Sequence, residues 1–333
     1  MRRTGADNFD LLLDIAGRGG RGPMLYGESL HLLHRVFEEA LLSSANPAVY
    51  VEFPLSGKPC VDMQLVYDRV QRGAECRGAG YAAYQPMFDW FSEICGADGL
   101  SCGLAIDVSK AEDSIGVYFQ HRDRLDFLAP FLESVGENER LSDYLSIAAH
   151  MPYGWDAAYI GLFPKRAGMP MRIGGYMAEE ARRLGRETAY WAECFEAIGF
   201  HAYDEDMLQF CREIACISPA IEYQFDIMPD GTLGEDFGLF CSFRKVRPEE
   251  TKQCMETGYG GKLMELLEAR GLADSRWRLI GGTAFGKAIP FRLEDGKEGQ
   301  LALCVLLDCA KVKFRGAKPP VAKFYLMLRA VEL

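Results

Sequence analysis

Three lysines and a phenol stand close together near the C-terminus, in Lys311-Val312-Lys313-Phe314 and Lys323-Phe324-Tyr325. Ammonium groups and phenol hydroxyls both donate hydrogen bonds to phosphoryl oxygens, so this cluster suits a diphosphate. Side chains alternate along a strand, which puts Lys311 and Lys313 on one face and Lys323 and Tyr325 on one face of the next strand. The alternative is an exposed hairpin with solvated lysines. Residues 321–328 are too apolar for a surface edge, which argues against it.

The same parity extends the set. Arg172, Arg244 and Arg329 join the lysines as cations on the polar faces of strands. Glu52, Asp62, Asp107, Glu222 and Asp226 are the carboxylates on those faces. A partly desolvated carboxylate can act as a general base, or it can simply neutralise a neighbouring cation. Tyr118, Tyr159, Phe163, Tyr176, Phe240 and Tyr325 are the aromatic residues. Their faces could shield a carbocation, although each alone also fits a core position. Other signatures are missing: no GxSxG, no P-loop, no GxGxxG after a strand and no HExxH around His31 and His34.

Ten segments must position these residues. Residues 48–54, 61–68, 103–109, 114–120, 157–163, 171–176, 220–228, 237–244, 301–314 and 321–329 read as strands with one apolar and one polar face. They come in pairs, several with tight links such as Met228-Pro229-Asp230-Gly231-Thr232, where Asp-Gly signals a hairpin. Helical segments are expected over residues 29–42, 87–95, 125–135, 178–198, 205–214, 249–257 and 262–270. Ser29 and Asp204 are the expected N-caps, and Pro130 should kink the third helix or start it late. Antiparallel pairs under helices predict an α+β fold: one closed barrel of about ten strands with a polar lumen and an outer ring of helices. An open sheet with its polar face in water is the other possibility. Residues 1–27, with the run Gly17-Arg18-Gly19-Gly20-Arg21-Gly22-Pro23, are expected as a flexible lead, and residues 28–333 as a single barrel domain.

The chain of 333 residues is 49% hydrophobic, enough for a large core, and its net charge of -11 argues against a nucleic-acid surface. No apolar run is long enough to span a membrane, and Met1-Arg2-Arg3 leads into a polar run rather than an export signal. The eleven cysteines form no CxxC pair and are expected as buried thiols in a cytoplasmic protein.

The element order, the polar lumen and the basic-aromatic C-terminal strands together resemble the ABBA, or PT-barrel, prenyltransferases. Lys323-Phe324-Tyr325 is similar to the Lys-x-Tyr pairs with which the indole-prenylating branch holds diphosphate. The layout is nearest to the cyanobactin-type peptide prenyltransferases: an early acidic strand like Val51-Glu52-Phe53, a strand–turn–strand–helix run like residues 103–132, and a Lys/Tyr-rich last strand. The chain departs from the pattern in having one Lys-x-Tyr pair, and Gly116 where the family tends to place a cation. The resemblance implies transfer of a dimethylallyl or longer isoprenoid group from its diphosphate to an aromatic or peptide side-chain acceptor. It assigns the diphosphate to Arg172, Lys311, Lys313, Lys323 and Tyr325, the cation shield to Tyr118, Tyr176 and Phe240, and the base to Glu52. Arg244 joins the substrate-binding set. Mg2+ could accompany the diphosphate, as in some members, but no ligand cluster in the sequence demands it. The expected partners are an isoprenoid diphosphate and an acceptor, with no nucleic acid and no membrane. A non-catalytic barrel that binds a peptide or small molecule would share the gross pattern.

Overall fold

A computed structural model describes residues 5–43, 47–96, 99–110, 114–292 and 298–332. Its strands are β1 (Ala48–Pro54), β2 (Asp62–Tyr67), β3 (Ser101–Ile106), β4 (Gly116–Gln120), β5 (Trp155–Leu162), β6 (Met171–Met177), β7 (Ile221–Ile227), β8 (Leu233–Ser242), β9 (Phe285–Arg292), β10 (Glu298–Arg315) and β11 (Lys318–Glu332). Ten of them run β11-β1-β2-β3-β4-β5-β6-β7-β8-β10, all antiparallel, and the pairing of β10 with β11 closes the ring. Closure leaves no unpaired edge in the wall, so the open sheet is ruled out. The hairpin between β7 and β8 turns at Gly231 (φ 80°), where the Asp230 carboxylate accepts from the Thr232 amide at 3.0 Å.

β9 is not expected from sequence, because Pro290 interrupts it and its alternation is poor. It pairs with residues 298–305 of β10, whereas residues 309–315 of β10 pair with β8. A bulge between Leu307 and Cys309 separates the two halves.

The apolar faces point outward under the helices, as the alternation requires. Val51, Phe53, Leu65, Phe225, Phe237 and Phe324 are fully buried. Phe195, from the helix Thr188–Ile198, meets Phe237 with ring centroids 5.1 Å apart. The helix Glu205–Ile217 is capped by Asp204, which accepts from the Met207 amide at 2.8 Å. Ser29 makes no such bond before Leu30–Ala40. Residues 178–198 form two helices rather than one, because the chain turns at Gly185, whose carbonyl accepts from the Trp191 indole at 2.7 Å. The helix Leu128–Ser134 starts late, with Pro130 in its first turn.

Of the flexible lead expected over residues 1–27, residues 1–4 lie outside the described residues and the rest is corrected by the structure. Gly5–Gly17 and Arg21–Tyr26 are helices, and Phe9, Leu12, Leu13, Leu25 and Tyr26 are buried. Phe9 stacks on Phe37 at 4.0 Å between centroids. The glycine run hides an apolar stripe at positions 9, 12, 13 and 16, the spacing of one helix face. Among the described residues, no helix is long and apolar enough to cross a membrane.

Just after β4, His121 is fully buried, with Nε2 2.6 Å from the Tyr144 hydroxyl and Nδ1 without a partner among the described residues. Burial pushes the imidazole down to about 4. The unfolded chain therefore takes up this proton first as the pH falls. The stability that goes with neutral His121 is complete above the ordinary histidine value and is lost between about pH 6.5 and about pH 4, at roughly 1.4 kcal/mol per pH unit. Denaturant titrations of the His121→Gln protein should show a shallower loss over that window than wild type. An unchanged slope would rule out this histidine as the cause.

Candidate active site inside the barrel

The inward faces enclose a cavity of about 690 Å3. All ten residues singled out by parity and resemblance line it: Glu52, Tyr118, Arg172, Tyr176, Phe240, Arg244, Lys311, Lys313, Lys323 and Tyr325. Three of the wider candidates do not. Asp226 lies behind Arg172, to which it is hydrogen-bonded. Arg329 pairs with Asp68 instead, and Phe163 is buried beneath the guanidinium groups of Arg166 and Arg172, 4.0 and 4.5 Å above its ring.

The lysines converge. Lys311 of β10 lies directly opposite Lys323 of β11 on one side and Phe240 of β8 on the other. Its ammonium sits 4.8 Å over the Phe240 ring and makes no ion pair or hydrogen bond among the described residues. Burial lowers its pKa well below that of an ordinary lysine, and the charges of Arg172, Lys313 and Lys323 push the same way against Glu52.

The other cations are each held by a carboxylate. Arg172 donates to both oxygens of Asp226, at 2.7 and 3.1 Å, and to the Tyr118 hydroxyl at 2.8 Å. Lys313 meets Asp236 at 2.5 Å. Lys323 pairs with Glu52 and lies 3.6 Å from Asp62. Towards the other end of the lumen, Arg244 donates to Asp308 at 2.6 Å and to the Tyr176 hydroxyl at 3.1 Å, and lies 3.3 Å from Glu222.

These pairings split the carboxylates. Glu52 and Asp62 face each other across β1 and β2. Burial opposes the charge on Glu52, but Lys323, Lys311 and a hydrogen bond from Tyr325 hold it down to about 2. Burial and the charge of Glu52 push Asp62 up to about 6. Glu222 is pushed up to about 7 by burial and by Asp308, against Arg244. A proton in this lumen thus resides on Asp62 or Glu222 before it resides on Glu52.

Parity misses Asp308, because the bulge in β10 turns it inward out of register. A lone aspartate in the apolar run Leu301-Ala302-Leu303-Cys304-Val305-Leu306-Leu307-Asp308 is the signal that marks it. Asp236, the partner of Lys313, falls before the segment expected as strand. Gln64, Gln120 and Gln224 complete the polar wall. Among the described residues, no group of three or more His, Cys, Asp or Glu side chains is placed to hold a metal ion. His34 pairs with Asp10, and the side chain of His31 lies outside the described residues.

The chain matches no protein-family model and no curated protein sequence. Among solved structures it is similar to the prenyltransferase PriB in its apo form, with 12% identity over 98% of this chain and 96% of that one and a TM-score of 0.52. It is likewise similar to the 5-dimethylallyl tryptophan synthase of Streptomyces coelicolor in complex with DMASPP and Trp, with 12% identity, 98% and 95% coverage and a TM-score of 0.51. A 6-dimethylallyl tryptophan synthase gives 10% identity, 98% and 97% coverage and a TM-score of 0.51. At such identity the likeness speaks to the fold, which is the ABBA, or PT-barrel, fold.

Proposed function

We propose that the protein is a prenyltransferase that moves a dimethylallyl or longer isoprenoid group from its diphosphate to an aromatic ring or a peptide side chain. One observation carries the reading. Lys311 is a buried ammonium with no fixed counter-ion among the described residues, set opposite Lys323 and repelled by Arg172, Lys313 and Lys323. Like charges placed across a strand pair and out of water destabilise a sheet unless an anion joins them. A diphosphate fits that demand in charge and in hydrogen-bond acceptors. The similar solved synthase was crystallised with DMASPP and tryptophan, which agrees with an aromatic acceptor.

In this reading Lys311, Lys323, Arg172, Lys313 and Tyr325 hold the diphosphate. The allylic C–O bond breaks, and its electron pair leaves with the diphosphate, whose growing charge these donors stabilise. Tyr118, Tyr176 and Phe240 shield the allyl cation until the acceptor attacks it. Glu52 takes the acceptor's proton. In the free protein Glu52 is too weak a base for that. Diphosphate binding supplies negative charge and draws Lys323 and Lys311 towards itself, and both effects raise the Glu52 pKa.

A non-catalytic binding barrel is the competing reading. It is favoured by the pairing of Arg172, Lys313, Lys323 and Arg244 with carboxylates. Calorimetry with dimethylallyl diphosphate separates the two. The wild type should bind it, and Lys323→Ala should weaken binding by roughly 1.5–3 kcal/mol, the range for a charged hydrogen bond. A wild type that binds no diphosphate leaves only the binding barrel.

A further inference from the structure

Asp62 is a partly buried acid that the transfer chemistry above leaves without a role. It opens β2 directly opposite Glu52 of β1, and both residues line the cavity. Residues directly opposite on antiparallel strands hold their Cβ atoms about 4.5–5.5 Å apart, so the two carboxyl groups are neighbours. One ammonium serves them both: Lys323 of β11 pairs with Glu52 and lies 3.6 Å from Asp62. The other groups facing Asp62 do not relieve it. Asp107, just past β3, adds negative charge, although Arg166 lies 3.4 Å from it. Cys60, in the loop that leads into β2, has its thiol pKa raised by burial and by the charge of Asp62, and brings no positive charge. The Val108 amide donates to Asp62 at 3.2 Å and fixes the carboxylate in place.

Two facing carboxylates stay ionised together only while a cation stands between them. A diphosphate bound at Lys323 draws that ammonium away and adds negative charge of its own. We propose that Glu52 and Asp62 form a proton-sharing pair that takes up one proton from solvent as diphosphate binds, and that this proton lodges on Asp62 and leaves Glu52 ionised as the base. The inference rests on the prenyl-transfer reading above, which places the diphosphate at Lys323. Asp62 is the member that takes the proton because Lys311 and a hydrogen bond from Tyr325 also support the charge on Glu52, whereas Asp62 is supported by Lys323 and the Val108 amide. The free protein has the same order, with the Asp62 pKa at about 6 and that of Glu52 at about 2. Asp62 touches no substrate in this scheme; it is a positioning residue that sets the charge of the base. The protons balance. One enters on Asp62 with the diphosphate, and one passes from the acceptor to Glu52 as the new bond forms. Both leave to water when the diphosphate departs and Lys323 returns between the carboxylates.

Calorimetry with the unreactive dimethylallyl S-thiolodiphosphate, without acceptor, tests this. Titrations in buffers of different ionisation enthalpy count the protons taken up on binding. At about pH 7 the wild type should take up roughly half a proton or more in excess of Asp62→Asn. The diphosphate and Lys311 also exchange protons on binding, but they do so in both proteins and cancel in the difference. Below about pH 5 the difference should vanish, because Asp62 is then protonated before the analogue arrives. Asparagine can keep the hydrogen bond from Val108 and should bind the analogue at least as tightly as wild type. Should Asp62→Asn not fold, infrared difference spectra of the wild type carry the test. Binding should raise a protonated-carboxyl band that shifts when the aspartates, and not the glutamates, are isotopically labelled. Equal proton uptake by wild type and folded Asp62→Asn, an excess that persists undiminished below about pH 5, or a carboxyl band that is absent or follows the glutamate label overturns the inference with the prenyl-transfer reading intact. A wild type that does not bind the analogue defeats that reading itself, and the inference with it.

Discussion

Glu52→Gln protein should fold, bind isoprenoid diphosphate and turn over a hundred- to ten-thousand-fold more slowly with its acceptor, the usual span for a lost general base. Glutamine keeps the shape and can still accept a hydrogen bond from Lys323 or Tyr325, but it cannot take a proton. In the free protein the Glu52 pKa is held down to about 2, so the assignment depends on the diphosphate raising it. A pH profile adds a second check. If Glu52 is the base, the acidic limb of kcat/KM for the diphosphate should follow a pKa well below that of kcat, since the free protein lacks the diphosphate that raises it. If Glu52→Gln turns over near the wild-type rate, Asp62, directly opposite and at about 6, becomes the base. If the variant fails to fold, Glu52 is structural, the counter-ion that keeps Lys323 in the wall.

Lys311→Met should make the protein more stable and a poorer diphosphate binder. The side chains are similar in length, and methionine fills irregular apolar space well. Removing a buried ammonium that lacks a fixed partner should add on the order of 1–3 kcal/mol to the unfolding free energy. Losing a charged donor to phosphate should weaken diphosphate binding by roughly 1.5–3 kcal/mol, about ten- to a hundred-fold or somewhat more. The pH dependence has a definite sign. The Lys311 pKa is depressed, so the amine is charged only below that value, and wild-type diphosphate affinity should fall as the pH rises through it. Lys311→Met should lack that limb. Denaturant unfolding and calorimetry on the same preparations read both effects. A variant that is less stable and binds diphosphate normally would show that Lys311 is a structural cation.

Much of this architecture is legible without coordinates. Alternation is local: Val61, Met63, Leu65 and Tyr67 point one way and Asp62 and Gln64 the other whatever the strand pairs with, so the sequence alone determined the ten wall strands and the ten lumen residues. The same local rule fails where the backbone departs from regular pairing. Asp308 enters the lumen through a bulge, and β9 pairs despite Pro290. The glycine run at residues 17–22 masks a buried helix. What tertiary structure decided is which charges meet. Glu52 and Lys323 are 271 residues apart, and Arg244 and Asp308 are 64 apart. No spacing rule predicts that Lys323 has two acids and Lys311 none. Ion pairing depends on distances of a few ångström between strands that the barrel brings together only on closing, and on the water that closure removes. The polar lumen is therefore a property of the sequence, whereas the lack of an ion pair for Lys311 among the described residues is a property of the fold.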